Sequence, residues 1–127
     1  MRINACAAIV DNKELLLVKN PTGLWILPGG ELGPEEDNID CIIREIGEEL
    51  SGTRVTDLSS YKTFNGITPN SKRDLEVRVY HARIFGSLKC FSSEIRGMGY
   101  FGYGKCSDAS DITKEIMKSL KEDRYIV

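Results

Sequence analysis

Glu45, Glu48 and Glu49 stand close together in this chain of 127 residues, at a spacing where carboxylates can act jointly. On a helix of about 3.6 residues per turn, Glu45 and Glu49 are one turn apart and Glu48 lies between them, so all three project from neighbouring positions. Like charges at that spacing cost a helix roughly a few tenths of a kcal/mol. Arg44, one turn before Glu48, offsets part of this. A hard cation would offset more, and magnesium prefers oxygen ligands of this kind. Read alone, the same spacing also describes an ordinary solvated helix face.

The elements that must hold these groups follow from local pattern. Residues 37–50 read as a helix, with Ile39, Ile42, Ile43, Ile46 and Leu50 recurring every three or four positions on one face and Asp37 or Asn38 as cap. Glu45 and Glu49 flank that stripe, and Cys41 falls on the side away from it. Gly47 inside the helix costs about 1 kcal/mol relative to alanine. Upstream, the apolar runs 3–10 and 15–18 are joined by Asp11-Asn12-Lys13, the signature of a hairpin. Residues 24–27 read as a buried strand, stopped by Pro28-Gly29-Gly30. Downstream, residues 55–64 suggest an irregular strand. Leu75, Val77 and Val79 alternate with Glu76, Arg78 and Tyr80 in a half-buried strand, and the lone His81 falls on the Leu75 face. Residues 97–104 read as a Gly-rich loop and 111–122 as a closing amphipathic helix. Strands around one helix, with a second helix at the end, indicate a mixed α/β domain.

The register around the carboxylates carries more than their spacing does. Gly30, Glu36, Arg44, Glu45, Ile46, Glu48 and Glu49 occupy seven of the nine specified positions of G-x5-E-x7-R-E-U-x-E-E-x-G-U, where U is a bulky aliphatic residue. That segment resembles the Nudix box of the MutT-like Nudix hydrolases, and residues 23–29 resemble the strand that leads into it. Two positions depart: Ser51 stands in place of glycine and Gly52 in place of an aliphatic residue. The box glycine typically ends the helix in a left-handed conformation. Either Gly52 takes that task one residue later or Ser51 adopts a strained turn.

The resemblance implies a single Nudix domain over residues 1–127, an α/β/α sandwich with a mixed sheet. It implies a hydrolase that cleaves a diphosphate bond in a nucleoside di- or triphosphate, or a nucleoside diphosphate derivative, with magnesium or manganese. Carried over by position, Glu45, Glu48 and Glu49 would hold the metal, Glu36 would contribute less directly, and the Gly30 carbonyl would add a backbone ligand. Arg44 would orient the carboxylates by bidentate pairing. Glu94 is the first choice of general base outside the box, six residues before Tyr100-Phe101, resembling the late glutamate and aromatic pair of many members. Glu76 is the second, and Glu45 or Glu49 could themselves activate water. For base recognition, Trp25, Phe64, Tyr80, Tyr100 and Phe101 are the aromatic sources, each competing with a role in the core. Arg78 is placed to meet a phosphate.

Composition bounds the rest. Seventeen basic and nineteen acidic residues give a net charge of -2, which supplies no overall basic footprint for nucleic acid. No apolar run reaches the roughly twenty residues of a membrane span. Cys6, Cys41, Cys90 and Cys106 form no CxxC pair, so free thiols in a reducing compartment are expected. The expectation is thus a cytoplasmic protein, monomer or homodimer, with a nucleotide-type small-molecule substrate and no DNA-binding extension. The alternatives are a non-catalytic nucleotide-sensing domain on the same fold and, less well supported, an isomerase acting on a diphosphate.

Overall fold

The structure is a computed structural model that describes residues 1–68 and 71–127. Strand β1 (Arg2–Asp11) turns into β2 (Glu14–Lys19) through Asn12 and Lys13, both at positive φ (51° and 63°). Positive φ at both central residues is the geometry that matches the twist of a two-residue hairpin. The two strands pair at Val10↔Leu15 and Asp11↔Glu14 and then part company. Beyond that point β1 runs parallel to β6 (Asp74–Phe91) and antiparallel to β4 (Gly29–Glu31). Meanwhile β2 pairs with β3 (Trp25–Ile26) and β7 (Gly97–Phe101). The edge beside β6 is β5 (Leu50–Ile67), a long antiparallel strand with three register shifts, as the irregular pattern of 55–64 suggested.

Both sheet faces are covered, so β1 and β2 read as unbroken apolar runs rather than alternating ones. Helix α1 (Asn38–Glu49) seals Ala5, Ala7, Ile9, Leu16 and Val18 with Cys41, Ile42, Ile46 and Leu50. Helix α2 (Asp111–Glu122) seals Cys6, Ala8, Leu15, Leu17, Val77 and Val79 with Ile116, Met117 and Leu120. The result is the expected α/β/α layering of a mixed sheet.

Four local expectations need correction. Residues 97–101 form β7 rather than a loop, because the partner strand β2 satisfies their backbone whatever their side chains are. For the same reason Gly29-Gly30 does not end regular structure but forms β4 against Ala5 and Cys6. Residues 24–27 contribute only the two-residue β3, with Trp25 and Ile26 half-buried. On α1, Ile39 and Ile43 are 41% and 48% exposed, while Cys41 is fully buried. The buried arc is therefore rotated toward Cys41 and Glu49. At the helix exit the positive φ falls on Gly52 (95°), inside β5 at a bulge, and not on Ser51.

Candidate active site

Where β1 and β2 diverge, a cleft of about 580 Å³ opens. One wall is β1 with Leu75 and Val77 of β6, and the other is residues 20–27 with the start of α2. Glu45, Glu49, Glu94 and Gly30 line one region of it.

The loop before α1 sets this region. Asp37 caps the helix by accepting a hydrogen bond from the Asp40 N–H at 2.8 Å. Gly29, at φ 141°, passes so close to β1 that a Cβ would collide with the Ala5 carbonyl. That close approach lets its N–H donate to Glu49 Oε1 at 3.1 Å. A Cβ on Gly30 would strike the Glu45 carboxylate (2.7 Å to Oε2), so that position must be small for Glu45 to lie in the cleft. The Gly30 carbonyl accepts from the Cys41 thiol at 3.4 Å.

Arg44 braces the assembly from outside the cleft. Its Nε and Nη2 donate to the two oxygens of Glu36 at 2.7 and 2.8 Å, a bidentate pairing. Its Nη1 donates to Glu45 at 2.9 Å and lies 3.6 Å from Glu48, and Nη2 also reaches the Glu31 carbonyl at 3.3 Å. The Gly33 N–H adds a bond to Glu36 at 2.9 Å. Arg44, then Gly33, hold the Glu36 carboxyl at about 2, well below the usual range.

The cleft carboxylates move the other way. Glu49 is only 7% exposed, and burial, opposed by the Gly29 N–H and reinforced by Glu45 and Glu94, pushes its pKa up to about 8. Burial also raises Glu45, against the pull of Arg44. A buried carboxylate, Glu49, beside the half-buried Glu45 and facing Glu94 constitutes an all-oxygen donor set, which suits a hard dication. No three of them converge on one point among the described residues, since Arg44 and the Gly29 N–H hold Glu45 and Glu49 instead.

Other predicted residues lie elsewhere. The Glu48 side chain is 61% exposed and, like Glu36 and Arg44, lies outside the cleft lining. Glu94 reaches the cleft from an exposed turn that is itself anchored: Ser92 N–H donates to the Glu49 carbonyl at 3.1 Å and Arg96 N–H to the Lys19 carbonyl at 2.7 Å. Arg78 and Tyr80 sit on the α1 face of β6, away from the cleft. There Arg78 donates to Glu76 (2.6 Å) and Asn38 (3.0 Å), and Tyr80 accepts from Asn38 (3.0 Å). Strand parity is the reason, because Leu75 and Val77 take the cleft side of β6. The ion pair also occupies Glu76. Trp25 stacks edge-on against Phe101 at 5.0 Å, and Phe64 packs on the α2 core near Tyr61. Tyr100 packs on the α1 core. None of these rings lines the cleft. Residues not singled out from sequence, Arg2, Asn4 and Cys6, do line it. Their period-two alternation at the start of β1 was the available signal.

Residues 1–98 match the NUDIX domain family. A Nudix hydrolase of Bacillus subtilis (strain 168), YvcI, itself uncharacterized, is 42% identical over 48 residues, spanning 38% of this chain and 30% of that protein. The MutT Nudix hydrolase of Burkholderia pseudomallei superposes with a TM-score of 0.80 at 24% identity, over 92% of this chain and 95% of that one. An ADP-ribose pyrophosphatase of Streptococcus suis 89-1591 superposes with 0.69 at 22%, over 97% and 92%. These superpositions speak for the fold, the family match spans both the braced helix and the carboxylate turn, and the chain accordingly belongs to the Nudix family of hydrolases.

Proposed function

We propose that the protein is a magnesium- or manganese-dependent pyrophosphohydrolase that cleaves a diphosphate bond in a nucleoside di- or triphosphate or a nucleoside diphosphate derivative. The observation that carries this reading is that Glu45, Glu49 and Glu94 all line one cleft large enough for a nucleotide. Glu45 and Glu49 would hold the metal, with the Gly30 carbonyl as a further oxygen, and Glu48 and Glu36 complete the acidic rim outside the cleft. A bound dication supplies neutralisation of the diphosphate and a lowered pKa for attacking water. Arg44 keeps Glu45 at its post and draws Glu36 back from the cleft. The Gly29 N–H orients Glu49. Glu94, on an exposed turn at the cleft edge, accepts the proton of the attacking water.

No helix among the described residues is long and apolar enough to cross a membrane, and the substrate is read as a small soluble nucleotide met in the cytoplasm by a monomer or homodimer. A panel of nucleoside triphosphates and nucleotide sugars, scored for phosphate and pyrophosphate release with magnesium and with chelator, tests the reading. Chelator-sensitive release is expected, and metal binding without any release would favour a sensing domain instead. Glu94→Gln is expected to lose at least about tenfold in kcat, as general bases contribute about 10²–10⁴-fold. A smaller loss removes the role assigned to Glu94.

A further inference from the structure

The first turn of α1 is not held by apolar packing. The buried side chains of the helix begin at Cys41, whereas Ile39 and Asp40 of the first turn are exposed. Asn38 alone of that turn is half-buried, and what it meets is polar. Glu76, Arg78 and Tyr80 stand at alternate positions of β6 and so share one face of it. Arg78 Nε donates to Glu76 Oε2 at 2.6 Å, and its Nη1 donates to Asn38 Oδ1 at 3.0 Å. Asn38 Nδ2 donates in turn to the Tyr80 hydroxyl at 3.0 Å. Both ends of the amide are engaged, and the guanidinium, which can only donate, fixes the oxygen on Arg78. The Arg78 and Glu76 side chains are 33% and 21% exposed, so salt screens this pair less than a surface pair.

From Asn38 the chain leads directly to the cleft. Two residues earlier, Glu36 takes the fork of Arg44 at 2.7 and 2.8 Å, and Arg44 Nη1 reaches Glu45 at 2.9 Å. Asp37, between them, caps the helix. The loop that carries Glu36 is tied to the sheet at its start by the Leu32 N–H on the Ile3 carbonyl (3.0 Å). At its end it is tied by Asn38. A series of contacts with one short covalent link therefore runs from Glu76 on β6 to a carboxylate in the cleft.

We propose that Asn38 and Arg78 are positioning residues, which lock the entry of α1 onto β6 and thereby set the Glu36–Arg44 brace that keeps Glu45 in the cleft. Neither lines the cleft, so both act through other groups. The inference rests on the reading that Glu45 holds a dication, and it does not depend on hydrolysis.

Mn2+ binding to the intact protein, read from the EPR signal of the free ion, tests it apart from turnover. Arg78→Ala and Asn38→Leu are each expected to weaken Mn2+ about tenfold, the lower end for groups that orient metal ligands. Asn38→Asp keeps the oxygen that Arg78 grips and should stay within about threefold of the wild type. Tyr80→Phe removes one acceptor only and should change binding less than about twofold. In a Glu36→Gln background, Arg78→Ala should add less than about threefold, since both act through the same brace. A lowered thermal midpoint with unchanged Mn2+ affinity in Arg78→Ala would make the clamp a support of the fold alone, and overturns the inference. So does a loss of about tenfold in Asn38→Asp, full additivity with Glu36→Gln, or no Mn2+ binding by the wild type. Should Arg78→Ala fail to fold, Asn38→Leu set against Asn38→Asp decides. Mn2+ binding that follows this pattern, without release from any substrate in the panel, would defeat the hydrolase reading and leave this one standing. Metal-dependent hydrolysis with unchanged affinity in both variants would do the reverse.

Discussion

Helices α1 and α2 have the same length, 12 residues, and start alike, yet only one of them is built against the rules of helix stability. Asp37 caps α1 through the Asp40 N–H, and Ser110 caps α2 through the Thr113 N–H. Past the first turn they diverge. Helix α2 buries Thr113, Ile116, Met117 and Leu120 and ends with Lys121 in its last turn, where a cation suits the negative end of the dipole. Helix α1 has no basic residue in its last turn and ends instead on Glu48 and Glu49. It also buries Glu49 and carries a glycine, Gly47, in its last turn. Local choices that disagree with stability tend to mark functional sites. Here three of them coincide on the helix that lines the carboxylate end of the cleft.

If the division of labour is right, the largest effect is on stability and belongs to α2. Leu120→Ala empties a fully buried site and should cost about 2–5 kcal/mol in chemical denaturation, with kcat of the folded protein unchanged. A normal midpoint would show that α2 is not the structural partner. Glu49→Gln is the mirror experiment: turnover should fall at least about a hundredfold, about 2.7 kcal/mol of barrier, with the cooperative melt retained. Near-normal activity would strip α1 of the role assigned to it. Gly47→Ala comes next. Nothing lies within 4 Å of the added methyl, so propensity alone should raise stability by about 1 kcal/mol, and no gain would mean the glycine answers to something besides propensity.

The smallest effect concerns His81, which stacks on Tyr61 and Tyr125 at 4.8 and 4.5 Å on the α2 side. Burial lowers its pKa below the usual 6.5, so the unfolded chain binds more protons than the folded one below that pH. Its contribution is present in full above pH 6.5 and is lost as pH falls through the lower folded value. Denaturation midpoints between pH 5 and 7 should therefore show a slope that His81→Gln removes, and an unchanged slope in the variant assigns it to other groups.

Much of this was legible along the chain because it depends on near neighbours. The period of residues 111–122, the cap at Asp37, the turn at Asn12 and Lys13, and the box from Gly30 to Glu49 are all local matters of spacing and backbone preference. Strands β4 and β7 were missed because Gly29, Gly30, Gly97 and Gly99 carry no strand preference of their own. They are strands because β1 and β2 lie beside them with unpaired backbone groups. The buried arc of α1 was misjudged because Ile39 and Ile43 look no different from Ile42 and Ile46 until the sheet is set against one side. Burial of Cys41 and Glu49 follows from the same docking.

Residue types and spacing alone were enough to specify a carboxylate helix, its arginine and the family of the fold, since the box is contiguous and its helix repeats locally. Which glutamates enter the cleft, which end at solvent and which residues share the pocket with them was a question of long-range packing. Glu45, Glu49 and Glu94 meet there, joined by Arg2 and Asn4 from the opposite end of the chain. Arg78 and Tyr80 are excluded because the strand that carries them turns its other side to the cleft. Burial depends on what lies across from a residue, and for these positions the facing groups come from distant parts of the sequence.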